Sequence, residues 1–387
     1  MRDRMASDKR LFAVVQMSFS GLFGGREAVA FALAKILEEQ IEHSMLYLVM
    51  EKRASDTAQK ELLTKLDAYG IKWKLFSIEG RFSWKLIREL AASLKQDRVQ
   101  IVHCHCLKSA FFSLVARSVY RLPVKIVFTL HGLPLSNSPS ELFLHGMNLL
   151  SVLGADSIIG CCRQRVQSYL SMPWIKNKVS VIQNGYLMPL HPSVPAHREP
   201  ANDSAVTIGM VVRLSPEKNI PLFLQAVEHI TKDGLAKRPI RCLIAGDGEL
   251  REPLQETIHR LELERTVTLT GFVADMDAFY KTLDILVLTS DYEGTPMCIL
   301  EGMAHRLAIV ASSVGGVVDL LDHNVTGSLF SAGNLAELID RIIALIDDQQ
   351  KRETLGASAF QRLVDCFSAE AWRDRHISLY ACLLSGA

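Results

Sequence analysis

The proline-rich stretch between Pro189 and Pro200 constrains the fold more than any other feature of this 387-residue sequence. Four prolines fall within twelve positions there and are mixed with polar residues, a composition typical of linkers. On each side of it, short apolar runs typical of buried strands alternate with segments of helical periodicity. Such alternation predicts βαβ units and a parallel sheet. The sequence therefore predicts two α/β domains joined by a linker.

Each domain is predicted to carry its own doubly wound sheet. The predicted strands of the first domain span 11–17, 45–50, 99–103, 125–129, 157–160 and 179–183. Those of the second span 206–212, 241–245, 267–270, 285–289 and 308–312, and we expect the last to complete the sheet. We expect two Rossmann-like domains facing a central cleft. The expected boundaries are 1–188 for the first domain, 189–204 for the linker, 205–368 for the second domain and 369–387 for a C-terminal helix that packs back on the first.

The charge distribution differs between the two halves of the chain. Residues 1–190 hold 25 Lys and Arg against 15 Asp and Glu, whereas the remainder holds 18 against 27. A basic half suits an anionic partner such as a membrane surface, a lipid diphosphate or a nucleic acid; a solvated surface without a partner is the alternative. No apolar run approaches the roughly 20 residues of a membrane-spanning helix, and the charged N-terminus does not resemble a secretory signal. We therefore expect a cytoplasmic protein, and most of its eight cysteines fall in apolar patterns typical of reduced thiols.

The candidate site residues with the most specific pattern lie in the second domain. Arg213 and Lys218 follow the predicted strand 206–212, where a planar guanidinium and an ammonium can clamp a diphosphate. Glu293 precedes Gly294-Thr295-Pro296, and the amide groups of the helix predicted behind that loop favour a phosphate. Glu301, eight residues after Glu293, can accept two hydrogen bonds from a vicinal diol such as ribose.

Seven short motifs, taken in order, give the chain a resemblance to a known family. They are Gly24-Gly25-Arg26-Glu27, Thr129-Leu130-His131-Gly132, Asn184-Gly185, Arg213 with Lys218, Gly246-Asp247-Gly248, Glu293 with Glu301, and Val314-Gly315-Gly316-Val317. In this order the sequence resembles the retaining glycosyltransferases of family 4, which have the GT-B fold. The resemblance runs from about residue 11 to residue 385.

The resemblance implies a role for each matched residue. Arg213 and Lys218 would bind the donor diphosphate and stabilise its departure, while Glu301 would hold the ribose. Glu293 would contact the transferred sugar or assist near the reaction centre, and His131 would lie near the primary hydroxyl of that sugar. The expected catalytic residues are thus His131, Glu293, Arg213 and Lys218. The expected donor-binding residues are Gly24, Gly25, Arg213, Lys218, Gly246, Gly248, Glu293, Gly294, Thr295, Pro296 and Glu301.

The implied activity is retaining transfer of a sugar from a UDP- or GDP-linked donor in bacterial surface polysaccharide or glycolipid synthesis. No cofactor, metal ion or nucleic acid is expected. Asp275-Met276-Asp277 resembles the metal-binding acids of other glycosyltransferases, but its place at a predicted helix start favours capping. His103-Cys104-His105-Cys106 predicts no zinc site, because alternate residues of a strand point to opposite faces.

The acceptor-binding residues are not identified by any motif. Apolar residues at 133–135, 142–144 and 147–150 and the basic and aromatic stretch 81–86 suit either an anionic lipid surface or ordinary packing on the sheet. We expect a glycan or polyprenyl-linked acceptor and peripheral contact with the inner face of the plasma membrane. The alternatives are a non-catalytic nucleotide-sugar-binding protein and an epimerase or phosphorylase of the same fold.

Overall fold

The chain divides into two compact units. The computed structural model describes residues 10–19, 25–51, 63–64, 66–67, 70–131, 139–186 and 205–386, so the predicted linker 189–204 and Gly24 lie outside the described residues. The first unit comprises Met1–Gln183 together with Ala369–Ala387, and the second comprises Asn184–Ser368. Among the described residues, no helix combines the length and apolarity needed to cross a bilayer.

The first unit is built on a parallel sheet that has seven strands in the described part of the chain, in the order β3-β2-β1-β4-β5-β6-β7. The strands are β1 (Arg10–Phe19), β2 (Ile41–Glu51), β3 (Trp73–Ile78), β4 (Ile101–Cys104), β5 (Lys125–Leu130), β6 (Ser157–Gly160) and β7 (Val179–Val181). The helices between them are α1 (Gly25–Leu37), α2 (Trp84–Gln96), α3 (Leu107–Tyr120), α4 (Pro139–Gly154) and α5 (Arg163–Leu170). Central strands such as β4 are buried along their whole length, as is usual for a parallel sheet covered by helices on both faces.

The second unit repeats this topology in the order β10-β9-β8-β11-β12-β13. Its strands are β8 (Val206–Val211), β9 (Ile240–Ala245), β10 (Val267–Gly271), β11 (Ile285–Leu288), β12 (Ala308–Ser312) and β13 (Ser328–Phe330). Its helices are α6 (Ile220–Lys232), α7 (Arg251–Arg260), α8 (Met276–Tyr280), α9 (Met297–Ala304), α10 (Val317–Leu320), α11 (Leu335–Ile346) and α12 (Gln349–Arg362). In both units the direction of winding reverses between the first strand and the fourth, and ligands of open parallel sheets bind at such a switch point.

Two features of the sheets differ from the sequence expectation. The second sheet does not end with the strand at 308–312, because β13 pairs in parallel with β12 beyond it. In the first sheet, β3 was not predicted and pairs with β2. The pattern failed for different reasons: β13 has only three residues, and the alternating exposure of β3 at the sheet edge gives no continuous apolar run.

The C-terminal helix α13 (Ala369–Ser385) forms part of the first unit. Trp372, His376 and Tyr380 on it are buried, and Arg373 Nη1 pairs with Glu39 Oε2 at 2.6 Å. The first unit ends at Gln183 rather than at the expected residue 188, because Tyr186 forms a β-bridge with Ser368 in the second unit.

Candidate active site

Charged side chains of the second unit meet at its switch point, between β8 and β11. Lys218 follows β8 and Glu293 follows β11, and they form an ion pair with Nζ 2.6 Å from Oε1. Ser290 Oγ donates a second hydrogen bond of 2.7 Å to the same carboxylate oxygen. Side-chain exposure is 19% for Lys218 and 9% for Glu293, so the pair is shielded from most solvent screening. Two of the four residues predicted to be catalytic are thereby brought together.

Backbone and hydroxyl contacts fix the two loops that carry this ion pair. Thr289 Oγ1 donates to the carbonyl oxygens of Lys218 and Asn219 at 2.9 and 3.0 Å. The amide of Asp291 donates to the Glu217 carbonyl at 2.9 Å. The loop after β8 is thus fastened to the loop after β11, which holds Lys218 and Glu293 in a pre-set geometry.

Two glycines predicted to bind the donor, Gly246 and Gly248, allow the segment after β9 to pack closely against the loop after β8. A Cβ on Gly246, whose φ is +129°, would lie 1.9 Å from the Val212 carbonyl oxygen, and one on Gly248 would lie 2.4 Å from that of Leu214. These distances are too short for any side chain, so glycine is required at both positions. Arg213 lies between the two contacted residues, with its side chain exposed.

Gly315 approaches the backbone of Glu293 in the same manner. Its φ is +49°, and a Cβ there would lie 1.9 Å from the Glu293 carbonyl oxygen, which also accepts a hydrogen bond of 3.2 Å from the Gly316 amide. Gly294 and Thr295 are half-buried in the loop that follows, and Pro296 is the N-cap of α9. Within the described residues no side chain caps that helix end, which leaves its first amides able to meet an anion.

Glu301 lies on α9 beside an aromatic side chain that the sequence did not identify. Tyr280 Oη donates a hydrogen bond of 2.5 Å to Glu301 Oε2, and the Tyr280 ring stacks on that of His305 with centroids 5.0 Å apart. Burial raises the pKa of the Glu301 carboxyl above its usual value, against the opposing effect of the Tyr280 hydrogen bond. Burial and the neighbouring Glu301 charge also raise the pKa of Tyr280. The arrangement orients one oxygen of the carboxylate predicted to hold ribose.

Asp275 caps a helix, as its position in the sequence predicts. Its side chain accepts a hydrogen bond of 2.9 Å from the Ala278 amide at the start of α8. Asp277 pairs with Lys281 and, at 3.0 Å, with His305 Nε2. The two carboxylates therefore have separate partners. Among the described residues no group of three or more His, Cys, Asp and Glu side chains is placed to hold a metal ion.

His131 lies in the first unit, directly after β5, and is half-buried. Its Nε2 lies 3.0 Å from His105 Nδ1. His103 and His105 stack with ring centroids 4.5 Å apart, whereas Cys104 Sγ contacts Ser113 Oγ at 3.5 Å, as the alternation of a strand predicts. Gly25 is the first residue of α1.

Sequence reasoning missed Ser290 and Tyr280, which contact the two glutamates. Ser290 lies three residues before Glu293, so its spacing could have suggested the contact. Tyr280 lies 21 residues from Glu301 on a different helix, and no local pattern indicates that the two meet.

Two family models match the chain on either side of the predicted linker. The model described as Glycosyltransferase Family 4 matches residues 23–186, and that described as Glycosyl transferases group 1 matches residues 196–362. Together these matches span most of the chain and include each predicted site residue.

Individual relatives agree with these matches. An uncharacterized glycosyltransferase of Methanocaldococcus jannaschii is 26% identical over 80% of each chain. The UDP-Gal:alpha-D-GlcNAc-diphosphoundecaprenol alpha-1,3-galactosyltransferase of Escherichia coli is 24% identical over 68% of this chain and 71% of its own. The crystal structure of HepE from Anabaena in complex with UDP superposes with a TM-score of 0.79 at 21% identity, covering 96% of this chain and 100% of that one. The chain belongs to the family 4, or group 1, glycosyltransferases and has the GT-B fold.

Proposed function

We propose that this glycosyltransferase moves a hexose, with retention of anomeric configuration, from a UDP- or GDP-linked donor to a hydroxyl of a glycan or polyprenyl-linked acceptor. The observation that carries the proposal is the Lys218–Glu293 ion pair at the switch point of the second unit, beside the exposed Arg213. HepE has been crystallised with UDP and with UDP-glucose, and the E. coli relative is named for a UDP-linked donor and a diphosphoundecaprenol acceptor. We infer a role in bacterial surface polysaccharide or glycolipid synthesis.

Arg213 and Lys218 would meet the donor diphosphate. An incoming diphosphate competes with Glu293 for the Lys218 ammonium, while Ser290 keeps its hydrogen bond to the Glu293 carboxylate. Glu293 would then accept hydrogen bonds from the sugar hydroxyls. Glu301, oriented by Tyr280, would hold the ribose.

The transfer step needs stabilisation of a departing anion. The bond between the anomeric carbon and the diphosphate breaks, and the acceptor oxygen bonds to the same face of that carbon. The acceptor proton passes to the leaving phosphate oxygen. Two cations, Arg213 and Lys218, can stabilise the negative charge that develops on the leaving group without a metal ion. We therefore propose a metal-independent reaction.

A thermal-shift panel of nucleoside diphosphates and their sugars tests the donor site. We expect one base to raise the melting temperature, equally with and without EDTA, and the shift to disappear in Arg213→Ala. Arg265→Ala is the matched control, because Arg265 is also exposed but lies before β10, at the amino end of its strand. Equal loss of the shift in both variants, or a shift that EDTA abolishes, would contradict the proposed site or its metal independence.

The stereochemical outcome requires a separate experiment. Proton NMR of the first product formed should show the anomeric configuration of the donor. Inversion would refute the retaining mechanism and leave the donor site untouched. Nucleotide binding without any sugar transfer, over a panel of glycan and polyprenyl diphosphate acceptors, would favour the non-catalytic alternative.

We also propose that the first unit contacts an anionic lipid surface through the C-terminal turn of α4. Leu149, Leu150 and Leu153 are 57%, 58% and 45% exposed, and their spacing places them on neighbouring faces of one helix. Lys178 Nζ donates to the Leu153 and Ala155 carbonyls at 3.2 and 3.1 Å, so a cation lies at this end of the helix. Exposed apolar side chains near a cation are typical of interfacial binding.

Vesicle co-sedimentation tests this contact. We expect binding to vesicles that contain anionic lipid and none to zwitterionic vesicles, with the binding weakened in Leu150→Ser/Leu153→Ser. Leu235→Ser is the control, because Leu235 is similarly exposed at 43% but lies in the second unit. Undiminished binding by the double variant would show that another surface is responsible.

A further inference from the structure

A continuous chain of hydrogen-bonded polar side chains lies at the switch point of the first unit. It runs from His131 through His105, Gln16 and Tyr380 to His103 and Thr129. The successive separations are 3.0 Å from His131 Nε2 to His105 Nδ1, 2.8 Å from His105 Nε2 to Gln16 Oε1, 3.5 Å from Gln16 Nε2 to Tyr380 Oη, 2.7 Å from Tyr380 Oη to His103 Nδ1, and 2.6 Å from His103 Nε2 to Thr129 Oγ1.

Most of this chain is withdrawn from water. Gln16, His103 and Tyr380 have no exposed surface, and His105 is 1% exposed. Burial, followed by repulsion from His376 and His131, lowers the pKa of His103 well below its usual value, so His103 is neutral. Buried polar groups that lacked these partners would be costly, and the chain satisfies them in a single connected arrangement.

The Gln16 amide sets the direction of the hydrogen bonds between Gln16 and His131. Gln16 presents its carbonyl oxygen to His105 Nε2, so that nitrogen must carry a proton. In the neutral form of His105 the lone pair is then at Nδ1, where it accepts a hydrogen bond from His131 Nε2. At the other end, the Gln16 amide donates to Tyr380 Oη, which lies 2.7 Å from His103 Nδ1.

From this direction we propose that His105, held by Gln16, is a positioning residue that fixes the ring orientation and the tautomer of His131. The proposal rests on the proposed function and on the expected position of His131 near the primary hydroxyl of the transferred sugar. A proton on Nε2 puts the lone pair of the neutral His131 ring on Nδ1, so a hydrogen bond through Nδ1 is one that the ring accepts. A histidine of the wrong tautomer offers a donor where an acceptor is needed.

The packing supports the same assignment. The His105 and His131 rings are nearly parallel, at 23° with centroids 5.3 Å apart. The His103 ring stacks on the His105 ring. Gln16 is on β1 and pairs in register with His103 on β4. Tyr380 on α13 anchors the Gln16 amide from the C-terminal helix, 364 residues away in sequence. Gln16 on β1 and Tyr380 on α13 therefore belong to one network that holds the His131 side chain after β5.

Two-bond ¹H–¹⁵N correlation spectra of the full-length protein, labelled with ¹⁵N-histidine and without substrate, test the proposal directly. The His131 signals are identified by their absence from the spectrum of His131→Gln. We expect wild-type His131 to show the Nε2–H pattern, and His105→Phe to show a mixture of both neutral tautomers. His105→Asn, which keeps an acceptor near the position of Nδ1, should retain the wild-type pattern, and Gln16→Leu should weaken it.

Steady-state kinetics distinguish a positioning role of His105 from a role in donor binding. In His105→Phe we expect kcat to fall about tenfold while the donor KM changes less than twofold, with partial recovery in His105→Asn. His376→Gln is the matched control, because His376 is buried beside His103 but bonds only to the Trp372 carbonyl oxygen in the described structure; it should leave the His131 signals unchanged.

An unchanged His131 tautomer in both His105→Phe and Gln16→Leu would overturn the proposal, as would a wild-type pattern with the proton on Nδ1. If His105→Phe does not fold, Gln16→Leu and His105→Asn decide the outcome. Because the spectra require no turnover, failure of the proposed function would appear separately, as absent sugar transfer in a wild-type protein whose His131 tautomer is still fixed.

Discussion

The two units share one sheet topology but place opposite kinds of polar chemistry at their switch points. The second unit has fixed charges there, with Lys218 and Glu293 paired at 2.6 Å. The first unit has a buried chain of imidazole, amide and hydroxyl groups, in which His105 and Gln16 are linked at 2.8 Å. The same backbone arrangement thus supports an ion pair in one unit and a hydrogen-bonded network of imidazole, amide and hydroxyl groups in the other.

We propose that this difference corresponds to two different tasks. A diphosphate carries charge that a pair of cations can bind and stabilise as it departs. A sugar hydroxyl carries no charge and is recognised by correctly directed donors and acceptors, for which a fixed tautomer is sufficient. We therefore expect charge changes to affect the second unit most and changes in protonation to affect the first.

The largest expected effect comes from removing the cations of the second unit. Arg213→Ala or Lys218→Ala should each cost roughly 2–4 kcal/mol of transition-state stabilisation, a loss of about 30- to 900-fold in kcat/KM. Steady-state kinetics measure the loss, and thermal denaturation checks that each variant folds. Near-normal transfer by the Arg213→Ala/Lys218→Ala double variant would contradict a catalytic role of the charged site. The control Arg265→Ala should have the kcat/KM of the wild type.

Acid should destabilise the first unit through its buried histidines. Burial lowers the pKa of His376 to about 4, whereas an unfolded histidine titrates near 6.5. The unfolded chain therefore binds more protons between these values, and stability should fall as the pH decreases from about 6.5 towards 4, by about 3 kcal/mol for this one group.

Urea unfolding at pH 8, 6 and 5 measures this dependence. The glutamine of His376→Gln cannot titrate, so the pH dependence of the unfolding free energy should decrease by about one proton. The contribution of His103, whose pKa is also lowered by burial, should remain. An unchanged slope in His376→Gln would show that this histidine does not contribute to the acid sensitivity.

A smaller effect should follow from filling the space beside Glu293. Gly315→Ala places a Cβ within 1.9 Å of the Glu293 carbonyl oxygen, whereas Gly333→Ala, at a comparable φ of +75°, meets no atom within 4 Å. We expect about 1 kcal/mol of destabilisation for Gly333→Ala and about 2–3 kcal/mol for Gly315→Ala, which should also weaken donor binding. Equal losses of stability in Gly315→Ala and Gly333→Ala would show that the loop carrying Glu293 adjusts to the added Cβ without further cost.

The smallest expected effect distinguishes a helix cap from a metal ligand. Asp275→Ala should lose about 1 kcal/mol of stability, and Asp275→Asn, which keeps a capping oxygen, should lose much less. Transfer activity and its response to EDTA should be the same in both variants. A selective loss of activity in Asp275→Asn would point to the carboxylate charge and hence to a bound cation.

Local patterns predicted the repeated βαβ architecture because buried parallel strands are apolar throughout and their helices are amphipathic. The same patterns located Lys218 and Glu293 after neighbouring strands, which places them at one sheet edge. They could not show that Tyr280 contacts Glu301, or that Tyr380 reaches Gln16, since such contacts depend on how distant elements pack. The strand alternation placed His103 and His105 on one face, but only the fold shows what that face touches.

Calorimetric titration of the preferred nucleoside diphosphate into wild type, Arg213→Ala and His105→Phe tests the contrast between the units most directly. We expect Arg213→Ala to weaken binding by at least tenfold and His105→Phe to bind the nucleotide with wild-type affinity. Equal weakening in both variants, or undiminished binding in Arg213→Ala, would contradict the assignment of diphosphate binding to the charged site of the second unit.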